Sequence, residues 1–191
     1  MIKTKSIHDY ENIIKDLDLN INNLGSVMLP VNAVDLFEGS NGNFLNSMDL
    51  YKSSTPLKFW INGDVTNRAH ATLLYGLLTP AYKQQENIDE LLASWERPKF
   101  LTVDDISVFP STDPQEPYGC VVAHVSDDSL YEAHKRLSYL PHVNTFPDYR
   151  PHVALAYVKE EVAEHWAEVL SWSIVRLEVL GEDLDYGSNK N

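Results

Sequence analysis

Residues 68–76 read RAHATLLYG, and residues 150–158 read RPHVALAYV. Both are runs of small, branched and aromatic residues with the composition of a buried strand. Each also carries an arginine and, two positions later, a histidine. In a strand, alternate side chains share a face and next-but-one residues stand about 6.5–7 Å apart. Strict alternation then puts His70, Thr72 and Leu74 on one face and turns Ala71, Leu73 and Tyr75 to the core. In the second run it groups His152, Ala154 and Ala156 against Val153, Leu155 and Tyr157. Aligned on the histidines, the runs agree at Leu73 with Leu155 and at Tyr75 with Tyr157.

Each run is followed by a helix pattern and then a strand pattern. Working outward, "ENIDELLASWE" places Ile88, Leu91, Leu92 and Trp95 at helical spacing. "KFLTVDDISVF" and "GCVVAHV" read as strands. "DDSLYEAHKRLSYL" is a helix whose acidic start suits the positive end of its dipole. "KEEVAEHWAEVL" is a third helix, and "WSIVRLEVL" a last strand. The order strand, helix, strand, strand, helix, strand, helix, strand suggests two related lobes, one built around each histidine run.

Upstream signals are weaker. "SIHDYENIIKDLDL" has the spacing of a capped helix, "GSVMLPV" is a strand ended by Pro30, and Asn62-Gly63 is a turn signal. Residues 1–65 are therefore read as an N-terminal elaboration or lid, 66–182 as the core, and 183–191 as a polar tail expected to fray.

The formal net charge of −13 over 191 residues repels long phosphate backbones. A small anionic ligand is compatible with that charge, because a local pocket can oppose the global field. The single cysteine, Cys120, lies in a strand-like run and reads as a small buried hydrophobe, consistent with a reducing compartment. No stretch has the length and hydropathy of a membrane span or an export signal, so a cytoplasmic setting is expected. No histidine–carboxylate grouping has zinc spacing, and no phosphate-loop or dinucleotide fingerprint is present, so no metal and no cofactor is expected.

Two imidazoles facing one cleft suit in-line attack at phosphorus. One takes the proton of the attacking oxygen and the other gives a proton to the leaving oxygen. Histidine suits both tasks, since its unperturbed pKa near 6.5 allows either form near neutrality. The Thr72 hydroxyl can donate to a non-bridging phosphate oxygen, where negative charge grows. The loop "PHVNTFPDYRP" adds Phe146 and Tyr149 as candidates for base stacking and Arg150 as a candidate for steering phosphate. Tyr51, Phe59 and Trp60 are read as packing residues, with a lid as the alternative. His124 reads as structural, and His134 and His165 as solvent-facing helix residues.

"HATLLYG" and "HVALAYV" resemble the paired His-x-Thr/Ser motifs of the 2H phosphoesterase superfamily, the LigT-like enzymes. The wording "HATLLYGLL … PHVALAYVKEE" further resembles phage anti-CBASS nucleases that cut cyclic oligonucleotide signals. The resemblance covers residues 68–180. It implies an α+β bilobal fold, with two antiparallel sheets and flanking helices around a central cleft. It also implies metal-independent chemistry, with His70 and His152 as the acid–base pair and Thr72 as a phosphate donor. The implied substrate is a small cyclic di- or trinucleotide, and a phage origin would place the protein in the host cytoplasm. RNA 2',3'-cyclic ends and 2'-5' oligonucleotides are alternative substrates. Nothing in the sequence points to a protein partner. The chain departs from the motif at Ala154, where a hydroxyl residue is expected. That departure leaves open an impaired enzyme, a compensated one, or a protein that sequesters nucleotides without cutting them.

Overall fold

The computed structural model describes residues 24–32, 49, 51, 69–111, 114–143, 148–172, 174–181 and 183–186. Among them are six strands: β1 (Gly25–Asn32), β2 (His70–Leu77), β3 (Phe100–Pro110), β4 (Tyr118–Ser126), β5 (His152–Lys159) and β6 (Arg176–Val179). Three α-helices accompany them: α1 (Gln85–Leu92), α2 (Asp128–Leu137) and α3 (Glu160–Ser171). The element order from β2 onward follows the hydrophobic periodicity. The expected N-terminal helix and the Asn62-Gly63 turn lie outside the described residues.

The architecture is α+β, but the expectation of two separate sheets is overturned. The strands form one antiparallel sheet, closed in the order β1-β2-β5-β4-β3-β6. Two links, one of them a strand that pairs on both sides, fuse what would have been lobes. Ala71 of β2 pairs with Val153 of β5, and short β6 pairs with both β1 and β3. No composition signal predicts the second pairing, because β6 has only four residues.

Pro30 does not end β1. Its carbonyl accepts from the Leu180 amide at 3.0 Å, and its neighbour Val31 donates to Ala69 at 2.9 Å. The missing proline N–H thus points toward β6, where the chain is leaving the ladder, and costs little there. The polar tail does not fray at its start. Asp185 and Met28 exchange backbone bonds of 2.8 and 2.9 Å, and the Tyr186 hydroxyl donates to Asp89.

The core lies between the sheet and the helices. Ile88 and Leu92 of α1, Leu130, Ala133 and Leu137 of α2, and Ala163, Trp166, Ala167 and Leu170 of α3 are its helical contribution. Asp127 caps α2, its carboxylate accepting from the Ser129 amide at 2.8 Å. Helix α3 approaches β4 so closely that a Cβ on Gly119 would fall 2.3 Å from the Cβ of Ala163. The helix therefore covers the face of β4 that carries Val121 and Ala123. The face carrying His124 is turned away from it. None of the helices among the described residues is long and apolar enough to cross a membrane.

Gly76 takes φ +93°, and a Cβ there would meet the Val143 carbonyl oxygen at 2.2 Å. Both the dihedral and the close approach require glycine. Gly76→Ala is expected to lower stability by about 1–3 kcal/mol, a fall of several degrees in Tm by thermal unfolding.

Candidate functional site

The two histidine strands carry the same irregularity. Along β1 and β2, Val27 pairs with Leu74 and Met28 with Thr72, so Leu73 is passed over. Along β4 and β5, Val121 pairs with Ala156 and Val122 with Ala154, so Leu155 is passed over. Each strand has a bulge three residues after its histidine, and the first five residues of each share one burial pattern. A bulge adds one residue and reverses the alternation beyond it. Leu73 and Leu74 are consequently both buried, as are Leu155 and Ala156, while Tyr75 is 39% exposed and Tyr157 half-buried. Strict alternation placed Leu74 and Ala156 beside the histidines and Tyr75 in the core. The bulges correct all three.

Before the bulges the alternation holds, and there the two strands meet. They overlap at their N-terminal ends, with Ala71 opposite Val153 and both fully buried. The antiparallel register then sets His70 across from Ala154 and Thr72 across from His152. All four side chains are half-buried on the opposite face from Ala71 and Val153. His70 and His152 are diagonal neighbours on that face, about 7–8 Å apart at Cα by the geometry of antiparallel pairs.

The orientation of His152 is defined by its own loop. Its Nδ1 lies 3.0 Å from the Arg150 carbonyl oxygen. A carbonyl only accepts, so Nδ1 carries the proton and Nε2 is the atom available to exchange one. Arg150 contributes through its backbone; its guanidinium is exposed, 3.9 Å from the Asp148 carboxylate. Phe109 of β3 stands edge-to-face with His152 at 5.1 Å between centroids, and Phe109 is itself 39% exposed.

A third histidine belongs to this face. His124 lies directly across from His152 in the β4–β5 ladder. Its Nε2 and the Ser107 hydroxyl share a hydrogen bond of 2.7 Å, and Phe109 contacts its ring at 5.7 Å. Read as structural from sequence, His124 is thus a close neighbour of His152. The available signal was the alternation of Ser107 with Phe109 in "ISVF", which puts a hydroxyl and a ring on one face of β3.

The loop residues divide. Phe146 lies outside the described residues. Tyr149, a candidate for base stacking, turns instead to α2. Its ring is stacked on His134 at 3.9 Å with the planes parallel, Tyr131 meets it edge-on at 5.5 Å, and its hydroxyl donates to the Thr72 carbonyl at 2.9 Å. Burial, with Tyr131 adding to it, pushes the Tyr149 hydroxyl well above the usual tyrosine range, so it remains a donor. His134 is correspondingly not solvent-facing. Its Nδ1 bonds the Leu73 carbonyl at 2.7 Å, and burial holds the imidazole below its ordinary value.

On the β4–β5 side, Tyr118 and Tyr157 pack edge-on at 5.3 Å, and Tyr51 covers Tyr118 at 5.5 Å. Tyr51 is buried, and its amide donates to the Tyr157 carbonyl at 3.0 Å. Phe59 and Trp60 lie outside the described residues. Burial raises the Cys120 thiol to about 11, against a smaller opposing effect of Tyr157, in keeping with a packed rather than a reactive cysteine. A depression of about 540 Å³ between β3 and α3 is lined by Asp105, Glu164 and Glu168. Its carboxylates repel phosphate, and α3 covers the face away from His124.

No protein-family profile matches the sequence. No curated protein matches it either. Among solved structures, the chain is similar to Kluyveromyces marxianus Usb1, with 9% identity over 86% of this chain and 97% of that one, at a TM-score of 0.45. It is also similar to Kluyveromyces marxianus Usb1 with uridine monophosphate, with 10% identity over 87% and 99% of the two chains, at a TM-score of 0.43. At these scores the likeness assigns no family.

Proposed function

We propose that the protein is a phosphodiesterase of the 2H type, acting on a small nucleotide, with a cyclic di- or trinucleotide signal as its substrate. The observation that carries this reading is the register of β2 on β5. It sets His70 and His152 diagonally on one half-buried face, with Thr72 across from His152 in the register.

The chemistry follows from that arrangement. A ribose 2'-hydroxyl attacks the adjacent phosphorus and passes its proton to one imidazole. The P–O bond to the 5' oxygen breaks, and the other ring, protonated, donates to that oxygen. The product is a 2',3'-cyclic phosphate, which water opens with the two histidines exchanging roles. His152 works through Nε2 in both steps, because the Arg150 carbonyl engages Nδ1. Thr72 donates to a non-bridging oxygen, where charge develops. The net charge of −13 favours a short ligand over a long nucleic acid.

Incubation with cyclic dinucleotides, cyclic trinucleotides, 2'-5' oligomers and RNA bearing 2',3'-cyclic ends, followed by mass spectrometry, tests the reading. Cleavage of a cyclic substrate with a 2',3'-cyclic phosphate intermediate is expected. Intact recovery of every member of the panel would refute it. Ala154 favours a second reading, a nucleotide-sequestering protein, which predicts tight binding with the ligand recovered whole.

Among the described residues, Phe109, partly exposed and in contact with His152, is an aromatic surface on this face placed to support a nucleobase. Phe109→Ala is expected to raise KM about tenfold, from a base–aromatic stack of about 1–3 kcal/mol. Steady-state kinetics on the cleaved substrate checks it.

A further inference from the structure

β2 pairs with β5 at Ala71 alone, and among the described residues no strand ladder continues to Thr72 or Leu73 on the side away from β1. The bulge at Leu73 also breaks the regular ladder at that point. In an unbroken strand successive carbonyls point to opposite edges. Here the Thr72 and Leu73 carbonyls are taken by two donors that lie side by side, the Tyr149 hydroxyl at 2.9 Å and His134 Nδ1 at 2.7 Å. Their rings are parallel and 3.9 Å apart, so both carbonyls turn to the same side. Further along, backbone takes over: the Val143 amide donates to the Gly76 carbonyl at 2.8 Å and the Leu78 amide to Pro141 at 3.1 Å. Two stacked side chains therefore hold the peptide that carries the Thr72 hydroxyl.

We propose that Tyr149 and His134 are positioning residues that clamp the β2 bulge and so aim the Thr72 hydroxyl, and with it His70, at the substrate phosphate. This rests on the phosphodiesterase reading. The stack couples three parts of the chain that are distant in sequence: a helix, the loop before β5, and the first histidine strand. Tyr149 lies three residues before His152, so the clamp also ties the approach to the second histidine to the backbone of the first. Small displacements matter here, since errors near 1 Å in a reacting geometry can cost about a hundredfold in rate.

Tyr149→Phe removes one donor and leaves the ring stack. Its kcat is expected to fall about tenfold with KM within about twofold of wild type, the signature of an interaction that matters in the transition state. Amide hydrogen exchange should rise at residues 72–75, with the other strands unchanged. His134→Leu should act the same way, and His134→Asn, which keeps an amide donor near the place of Nδ1, should recover most of the lost rate. A Tyr149→Phe protein with wild-type kcat on a substrate the wild type cleaves overturns the clamp alone, whatever its exchange. Raised exchange throughout the sheet also overturns it, since the role would then be general stability. A wild-type protein that cleaves nothing in the panel strikes the phosphodiesterase reading instead, and the catalytic role of the clamp with it.

Discussion

His152→Ala is expected to lower kcat by about 10²–10⁴ while leaving the protein folded. The loss is that of general acid–base catalysis by a positioned imidazole. Retention of the fold follows from the setting. The side chain is half-buried on the face away from Val153, and its own bonds are one to the Arg150 carbonyl and an edge contact with Phe109. Truncation opens no core cavity, so the change in unfolding free energy should stay within about 1 kcal/mol. His70→Ala should give a loss of similar size, because its partner across the strand pair is Ala154 and it completes the same diagonal. Losing both rings should cost little more than losing one, as expected for a pair acting as a unit. Rates from initial velocities and melting curves on the three variants decide the matter. A single variant that turns over near the wild-type rate would remove acid–base catalysis by these residues from consideration.

The paired strands were legible because alternation and the repeated His, Leu and Tyr positions act within a few residues. What alternation could not give was the bulge. Whether Leu73 and Leu155 are passed over is decided by the partner strands, and a one-residue insertion reverses every later side chain. Tyr75 and Leu74 exchange places for that reason alone. The single closed sheet was hidden likewise, since closure depends on four residues of β6 reaching both β1 and β3. His124 became part of the site through the β4–β5 register, which no local pattern specifies. His134 was legible in part. It lies four residues after Leu130 and three before Leu137, two buried positions of α2, so helical spacing places it beside the buried stripe. The acidic composition spoke to the size of the ligand and the polar tail to fraying, and neither said how Asp185 would bridge to Met28.

Ala154→Thr is expected to raise kcat by up to about 10²–10³. Across the Ala71–Val153 pair, position 154 stands to His70 as Thr72 stands to His152. A threonine there would direct a second hydroxyl at the phosphate from the side that now lacks one. One well-placed donor to developing charge contributes about 2.7–4 kcal/mol, the origin of that factor. Threonine suits the backbone, being β-branched in a strand, and the half-buried position has a solvent-facing side for a hydroxyl. Thr72→Val is the companion measurement, removing the existing donor while keeping the shape. If the two positions are equivalent, the double variant combining Thr72→Val with Ala154→Thr should return to about the wild-type rate. A smaller gain at 154 with a full loss at 72 would mean that the reaction is supported asymmetrically, with His124, which pairs with His152 in the ladder, and its hydrogen-bond partner Ser107 as polar groups on the far side. Tight binding of a cyclic nucleotide with no cleavage by either the native protein or the Ala154→Thr variant would instead make sequestration the function, with the histidine face retained as a receptor for phosphate.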